Sequence, residues 1–295
     1  MEKPIAELIK GRYSCRAYQD RPIDGERQRR LSDFLASNRT GPLGGRARFA
    51  LLAATDQERQ SLKGLGTYGL IKGASGFLVG AAEQAPRNLE DYGYLMEHAV
   101  LFATDLGLGT CWLGGTFSKS NFAKKIGVTP GEVMPAVAAV GYIAEGNKSR
   151  DWIRRRAGSD LRLPWESLFF DEGFGKPLAR EQAGPYAEPL EAVRLAPSAS
   201  NKQPWRIVRV KDVWHFYLQR TKGYGKGSLV FRLLHLADLQ RVDMGIAMCN
   251  FELTAREIGV EGRWIIDKPD IETPDETMEY TVSWKAAMGD RNRTF

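Results

Sequence analysis

Two segments of this chain, 152 positions apart, repeat the same residues. Between Asp91 and Trp112, seven of 22 ungapped positions are identical to the positions 152 residues later, which run from Asp243 to Trp264. The identities cover one helical pattern and its glycine exit. Self-similarity at a fixed separation is the signature of an internal duplication. The chain is therefore predicted to fold as two related halves.

Periodicity and turn residues predict the secondary structure of both halves. Asp91 is a candidate cap for the helix of the first copy, and His98 on the apolar stripe of that helix is predicted to be a core or half-buried histidine rather than a metal ligand. The predicted helices cover residues 5–9, 26–36, 91–106 and 190–195, and the predicted strands cover 47–53, 76–81, 133–143, 206–210 and 278–284, with a turn over 67–74.

Composition narrows the class of protein. With 43% apolar and 26% charged residues, the chain is typical of a soluble globular protein. No apolar run approaches the ~20 residues of a spanning helix, and the first residues lack the apolar core of a signal peptide. Cys15, Cys111 and Cys249 are scattered and odd in number. This pattern argues against a disulfide framework or a zinc site and favours a reducing, cytoplasmic setting.

Charge alone does not select a partner. The formal net charge is +6, and the basic residues are dispersed apart from two short clusters at 27–30 and 154–156. Nucleic acid would fit such a charge, but no recognised nucleic-acid motif accompanies it. A mild positive field suits phosphorylated small molecules equally well.

A polar loop lies between a predicted helix and a predicted strand in the second half. Pro197 ends the helix because its ring clashes with the preceding turn and it has no N–H to donate. Ser198, Ser200 and Asn201 then supply short polar side chains before Pro204 and the strand. Taken alone, the loop has a simpler interpretation, in which Asn201 and Gln203 cap and cross-brace a turn.

Two segments of the first half carry ligand-binding chemistry. Arg12, Ser14 and Arg16, with Tyr13 among them, form a short anion-binding constellation, because guanidinium forks pair with phosphate and a hydroxyl adds a further hydrogen bond. After the repeated helix, the paired glycines Gly114 and Gly115 let the backbone approach a planar ligand without an intervening Cβ. Each segment alone could also be a basic surface stretch or a plain glycine turn.

Together these segments resemble the nitroreductase family of FMN-dependent enzymes. The loop reads Pro-Ser-x-x-Asn-x-Gln-Pro-Trp from Pro197 to Trp205, the early motif reads Arg-x-Ser-x-Arg, and Arg162 precedes a Leu-Pro step. The resemblance is closest to the single-chain, double-length subgroup. It implies an α+β fold of two lobes, at residues 1–167 and 168–295, each an antiparallel sheet with helices. The lobes would pack about a pseudo-two-fold axis as an intrachain pseudo-dimer.

The resemblance also implies which residues hold FMN. The arginine motif and Arg162 would bind the phosphate, ribityl chain and pyrimidine edge, and a backbone N–H of the glycine segment would lie near flavin N5. No protein acid or base is implied in the reaction, and no metal. The implied FMN-binding residues are Arg12, Tyr13, Ser14, Arg16, Leu113, Gly114, Gly115, Arg162, Pro197, Ser198, Ser200 and Asn201.

The parts of the site are divided between the halves. The first half keeps the arginine motif and the glycine segment, but its own polar loop at 35–38 has lost the Gln-Pro-Trp ending. The second half keeps that loop but has no arginine motif, and Glu261–Trp264 replaces the paired glycines. The two halves thus complement each other to leave one site per chain, and a monomer is expected.

The function implied by the resemblance is an FMN-dependent NAD(P)H oxidoreductase. In this family a reduced nicotinamide passes hydride to flavin N5, leaves, and is replaced by an acceptor such as a nitroaromatic or quinone, in ping-pong order. The alternatives are a different flavin chemistry on the same fold, a non-catalytic FMN carrier or redox sensor, and, least favoured, a basic nucleic-acid-binding protein. No membrane partner is expected.

Overall fold

The structure, a computed structural model, describes residues 1–53, 69–115, 119–145, 161–224 and 237–287. The helices are α1 (Ile5–Gly11), α2 (Gly25–Ser37), α3 (Asn88–Asp105), α4 (Lys119–Ile126), α5 (Ala187–Leu195) and α6 (Leu239–Glu257). The strands are β1 (Ala47–Ala53), β2 (Gly76–Glu83), β3 (Gly109–Leu113), β4 (Glu132–Val133), β5 (Val137–Gly141), β6 (Phe169–Asp171), β7 (Trp205–Val210), β8 (Val213–Gln219), β9 (Gly262–Ile265) and β10 (Met278–Ala286).

Most predicted elements are confirmed, with three differences. The predicted strand 133–143 is interrupted and forms β4 and β5. Residues 67 and 68 of the predicted turn lie outside the described residues. The sheets are not wholly antiparallel, because β6 pairs with β7 in parallel.

The two halves build sheets of the same strand order. In the first sheet the order is β1-β2-β5-β3, with β4 beside β2, and in the second it is β7-β8-β10-β9, with β6 added at the β7 edge. Each first strand pairs antiparallel with its successor: Ala47 lies opposite Ala82, and Trp205 lies opposite Leu218. The shared order agrees with the duplication that the sequence predicts.

Helices α3 and α6 cross where the repeat places a glycine in each. A Cβ on Gly93 would collide with the carbonyl oxygen of Val242, and a Cβ on Gly245 would collide with that of Glu90. Glu90 and Val242 are themselves 152 positions apart, so the two collisions occupy equivalent positions in the two copies of the repeat. Glycine is required here because the two helix backbones touch.

Asp91 is not the helix cap that the sequence suggests. Helix α3 begins three residues earlier, at Asn88, and Asp91 is buried in its first turn. Its carboxylate accepts hydrogen bonds from the N–H groups of Leu43 (2.9 Å) and Gly45 (2.6 Å). Its repeat partner Asp243 accepts from the N–H of Ala199 (3.0 Å). Each aspartate therefore holds the helix–strand loop of its own half.

Apolar side chains between helices and sheets form a core in each half. In the first half, residues of α2 and α3 pack on the first sheet, and in the second half, α5 and α6 pack on the second. Tyr94 and Trp112 contact both clusters and so join the halves. His98 is half-buried and meets Phe34 edge to face, with ring centroids 4.9 Å apart, as expected of a histidine on an apolar stripe. No helix among the described residues is long and apolar enough to cross a membrane.

Helix α1 of the first half is capped by a side chain of the second half. The residue before the helix, Pro4, makes no side-chain cap, and the Glu257 carboxylate accepts from the N–H of Ile5 (2.7 Å) and of Ala6 (3.4 Å). These are backbone donors that a helix N-terminus otherwise leaves unpaired. The cap fixes the start of α1, whose far end leads into the arginine motif.

Replacing Glu257 with alanine should lower the free energy of unfolding by about 1 kcal/mol, because two helix donors and a favourable charge at the helix N-terminus lose their partner. Urea denaturation followed by circular dichroism measures this change. Glu272→Ala at an exposed glutamate is the matched control and should be close to neutral. Equal effects of the two substitutions would contradict the capping role.

Candidate functional site

One cavity of about 570 Å³ lies where the two halves meet. Its walls come from the end of α1 and the chain after it, β3 and the glycines that follow, Arg162, the α5–β7 loop and one face of α6. All twelve residues that the sequence predicts to bind FMN line this cavity: Arg12, Tyr13, Ser14, Arg16, Leu113, Gly114, Gly115, Arg162, Pro197, Ser198, Ser200 and Asn201. Their role as cofactor ligands stays a prediction.

The arginine motif runs along the edge of the first sheet. Helix α1 ends at Gly11, and the next residues lie beside β3, where the N–H of Cys15 donates to the carbonyl of Thr110 (2.8 Å). Ser14 and Thr110 form a parallel bridge. This pairing places the motif alongside the strand that leads into Gly114, so both first-half segments border the same wall of the cavity.

Arg12 lies against a buried carboxylate. Its side chain is 6% exposed, and its Nε is 3.9 Å from Oε1 of Glu97, which is fully buried. The indole N–H of Trp112 donates to Oε2 of the same carboxylate (2.8 Å). Burial raises the pKa of Glu97 to about 7, while Arg12 and the Trp112 hydrogen bond lower it. Glu97 therefore joins the arginine motif to the glycine segment from behind the cavity.

Arg162 is held by the end of α5 and by the polar loop. One terminal nitrogen donates to the carbonyl of Leu195, the last residue of α5 (3.1 Å), and the other donates to the side-chain oxygen of Asn201 (3.4 Å). A helix C-terminus favours a cation, because its last carbonyls carry partial negative charge. The arginine is thus positioned on the second half although it precedes that half's sheet.

Asn201 and Gln203 brace the loop against the segment that carries Arg162. The Asn201 amide donates to the carbonyl of Leu161 (3.0 Å), and the Gln203 side-chain oxygen accepts from the N–H of Leu163 (2.9 Å). The cross-bracing interpretation of these two side chains therefore describes what they contact. Asn201 also borders the cavity, so its predicted contact with a cofactor is compatible with the brace.

The backbone of the polar loop is strained. Ser200, Asn201 and Gln203 have φ angles of 51°, 54° and 48°, in the left-handed region that disfavours residues with a Cβ. The Ser198 hydroxyl accepts from the N–H of Gln203 (2.8 Å) and closes the turn. Such strain concentrates at functional sites, where the surroundings hold the backbone in place.

Helix α6 supplies residues of the cavity that the sequence motifs do not include. Leu239, Val242, Asp243 and Ile246 face the cavity at helical spacing. Asp243 is 2% exposed, and burial raises its pKa well above the usual range of a carboxyl. Its Oδ2 has no hydrogen-bond partner in the part of the chain that the structure describes. The helical spacing and the repeated aspartate were the available signals.

Gly114 lies against helix α6. A Cβ at this position would collide with the side chain of Leu239 on α6, so the two halves touch here. Gly115, the next residue, is exposed. No cluster of three or more His, Cys, Asp or Glu suited to a metal ion occurs among the described residues.

Comparison with known proteins identifies the family. Residues 4–255 match the family model described as "Putative TM nitroreductase". The chain belongs to this family. The crystal structure of a "putative nitroreductase" from Thermotoga maritima aligns with 97% of this chain and 94% of its own, at 21% identity and a TM-score of 0.60. The chain thus has the α+β nitroreductase fold, as the resemblance of its motifs implies.

Shorter proteins described as nitroreductases align with about half of the chain. A "putative nitroreductase in complex with FMN" from Desulfovibrio desulfuricans is 22% identical over 49% of this chain and 89% of its own, at a TM-score of 0.39. A "nitroreductase with bound FMN" from Bacteroides fragilis is 21% identical over 49% of this chain and 90% of its own, at a TM-score of 0.37. No functionally curated protein shows a significant match to the chain.

Proposed function

We propose that this chain is an FMN-dependent oxidoreductase that takes hydride from NAD(P)H and passes it to a nitroaromatic or quinone-like acceptor in alternating half-reactions. The observation that carries the proposal is that one cavity is lined by all twelve residues predicted to bind FMN, although those residues come from both halves. Membership of the nitroreductase family supports the same chemistry.

The residues of the cavity suit FMN in charge and in shape. Its volume of about 570 Å³ lies within the usual range of ligand sites. Arg12, Arg16 and Arg162 provide guanidinium forks for a phosphate and for polar ring edges. Apolar side chains, among them Leu239 and Ile246, border the same space and suit a flat ring system.

The cofactor, when bound, supplies the hydride chemistry, and the protein supplies position and electrostatics. Arg12 and Arg162 would hold the phosphate, and Ser14 and Ser198 would donate further hydrogen bonds. Arg16 places a positive charge at the cavity wall. Gly115 would offer its backbone N–H without a side chain that blocks approach. The apolar residues of α6 would exclude water from the part of the cavity wall that they form.

The polar loop and Asp243 keep these donors in place. Asp243 holds Ala199, and the braces of Asn201 and Gln203 hold the segment of Arg162, so the loop does not need the ligand to define its shape. A site that is formed before binding loses less conformational freedom when the ligand arrives. We propose no acid or base role for the protein in the reaction.

The proposal includes a single-chain site in a cytoplasmic monomer. Both halves of the site come from one chain, so a second copy is not needed to complete it. Three buried thiols, Cys15, Cys111 and Cys249, fit a reducing compartment. The small molecule that accepts electrons is the partner we expect.

Anaerobic rapid mixing tests the function. The purified protein should carry FMN absorbance, lose it when mixed with NADH or NADPH, and regain it when a nitroaromatic or a quinone is added. Bound FMN that neither nicotinamide reduces would contradict the enzyme and favour the carrier or redox sensor. Failure of the folded protein to bind FMN would overturn the proposal as a whole.

A further inference from the structure

Glu97 contacts two walls of the cavity from behind. This fully buried carboxylate on α3 lies 3.9 Å from the Arg12 guanidinium and accepts from the Trp112 indole (2.8 Å). Both Arg12 and Trp112 line the cavity. The sequence motifs imply no cofactor role for Glu97. Two of them border this residue in space, but none of them includes it.

We propose that Glu97 is a positioning residue for Arg12, and that binding of the FMN phosphate at Arg12 is coupled to uptake of a proton by Glu97. The inference rests on the proposed function for the identity of the ligand. The coupling itself follows from the position of a buried carboxylate directly behind a cavity-lining guanidinium.

The contact between Arg12 and Glu97 is longer than that of a tight ion pair. Arg241 and Glu90, elsewhere between the halves, form a tight ion pair with two hydrogen bonds of 2.8 and 2.6 Å. Arg12 and Glu97 are more than 1 Å farther apart, and Glu97 Oε1 accepts no hydrogen bond within the described residues. Glu97 therefore acts on Arg12 through charge rather than through a pair of short hydrogen bonds.

The second half contains the same indole–carboxylate pair without the link to the cavity. The indole of Trp264, the repeat partner of Trp112, donates to Glu252 (2.6 Å). Glu252 pairs with Arg256 of its own helix (2.7 Å), whose side chain is half exposed and outside the cavity. Only the half that keeps the arginine motif thus connects its buried glutamate to a cavity arginine.

The sign of the coupling follows from the charges around Glu97. Burial raises its pKa to about 7, and Arg12 is the charged group that lowers it most. The Cys249 thiol faces it from α6 and is neutral, because burial and the nearby carboxylates raise the thiol pKa. A phosphate dianion bound at Arg12 adds negative charge near Glu97 and offsets the lowering effect of the guanidinium, so the pKa of Glu97 rises. The contribution of Glu97 to FMN affinity should therefore be greatest below neutral pH and fall as the pH rises through 7.

Calorimetric titration of the folded apoprotein tests the coupling. FMN is titrated at several pH values in buffers of different ionisation enthalpy, into the wild type, Glu97→Gln and the matched control Glu252→Gln. If binding raises the pKa of Glu97 by about one unit, wild-type affinity should fall about sixfold from about pH 6.5 to 8.5, measured relative to Glu97→Gln. Wild type and Glu252→Gln should take up protons near neutral pH, and Glu97→Gln should not.

Riboflavin, which lacks the phosphate, keeps the test decisive if Glu97→Gln does not fold. A phosphate with a pKa near 6 can only release a proton when it binds cations. If the wild type takes up protons with FMN but not with riboflavin, the protons must therefore bind to the protein and not to the phosphate. FMN binding without proton uptake would overturn the coupling and leave the proposed function standing. Absence of FMN binding at every pH would overturn both.

Discussion

Replacing Gly245 with alanine should lower the free energy of unfolding by about 3 kcal/mol, because the added methyl group would overlap the Glu90 carbonyl where α3 and α6 cross. Neither helix can shift freely, since each is packed on its own sheet. Gly93→Ala should have a similar effect, because its collision with the Val242 carbonyl is the symmetry-related one. Urea denaturation followed by circular dichroism measures both.

The control for this pair is Gly25→Ala. Gly25 begins α2, and a Cβ there would meet no atom within 4 Å. Alanine at that position should leave stability unchanged or raise it slightly, because it reduces the freedom of the unfolded chain. Because Gly93 and Gly245 share one crossing, the double variant should lose less than the sum of the single losses. Near-neutral behaviour of Gly245→Ala would mean that the helices do not touch as described.

Loss of FMN is the expected result of replacing Arg12 and Arg162 with alanine. Each substitution removes a guanidinium from the cavity wall, and hydrogen bonds to charged groups contribute about 1.5–3 kcal/mol each. FMN affinity should fall roughly tenfold to a hundredfold for each single variant, and the double variant should elute from gel filtration without flavin. The ratio of FMN to protein after gel filtration and the dissociation constant from titration are the measurements.

Asn38→Ala is the matched control for the cofactor prediction. Asn38 aligns with Asn201 in the duplicated loops, but its amide donates to the carbonyl of Leu95 (2.8 Å), and Asn38 is not part of the cavity. Its replacement should leave FMN bound. If Asn38→Ala strips the cofactor as effectively as Arg12→Ala, the assignment of the intact polar loop to the second half and the decayed one to the first is wrong.

The duplication was the part of the fold most visible in the sequence. Glycines at 93 and 245 and aspartates at 91 and 243 recur because both helices need the same close crossing and both hold a loop. The sequence did not reveal that the glycines allow the crossing and that the aspartates hold loops, since an aspartate near a helix start is also typical of a helix cap. The hydrogen bonds between Asp91 and the α2–β1 loop, seen in the structure, distinguish a loop contact from a helix cap.

The parallel strand β6 and the position of Glu97 also required the structure. Three residues are too short a run to reveal their pairing direction, and β6 lies in parallel beside β7 through a contact distant in sequence. Glu97 occupies a position on α3 that its helical spacing marks only as inward-facing. Its importance comes from Arg12 and Trp112, which approach it from other elements.

The residues that line the cavity were predicted more completely than the contacts they make. All twelve residues named from the motifs line one cavity. However, the amides of Asn201 and Gln203 are engaged with the Leu161–Leu163 backbone, which no spacing rule indicates. Asp243 was not predicted to line the cavity, because a buried carboxylate in a helix has no local sequence signature apart from its repeat.

The crossing of α3 and α6 joins parts of the chain that the ribosome produces at different times. At a typical synthesis rate, the repeat spacing of 152 residues means that α3 leaves the ribosome roughly ten seconds before its partner. During that interval the apolar surface around Gly93 has no α6 to cover it. Synthesis of this chain therefore leaves one apolar helix face uncovered until α6 has followed.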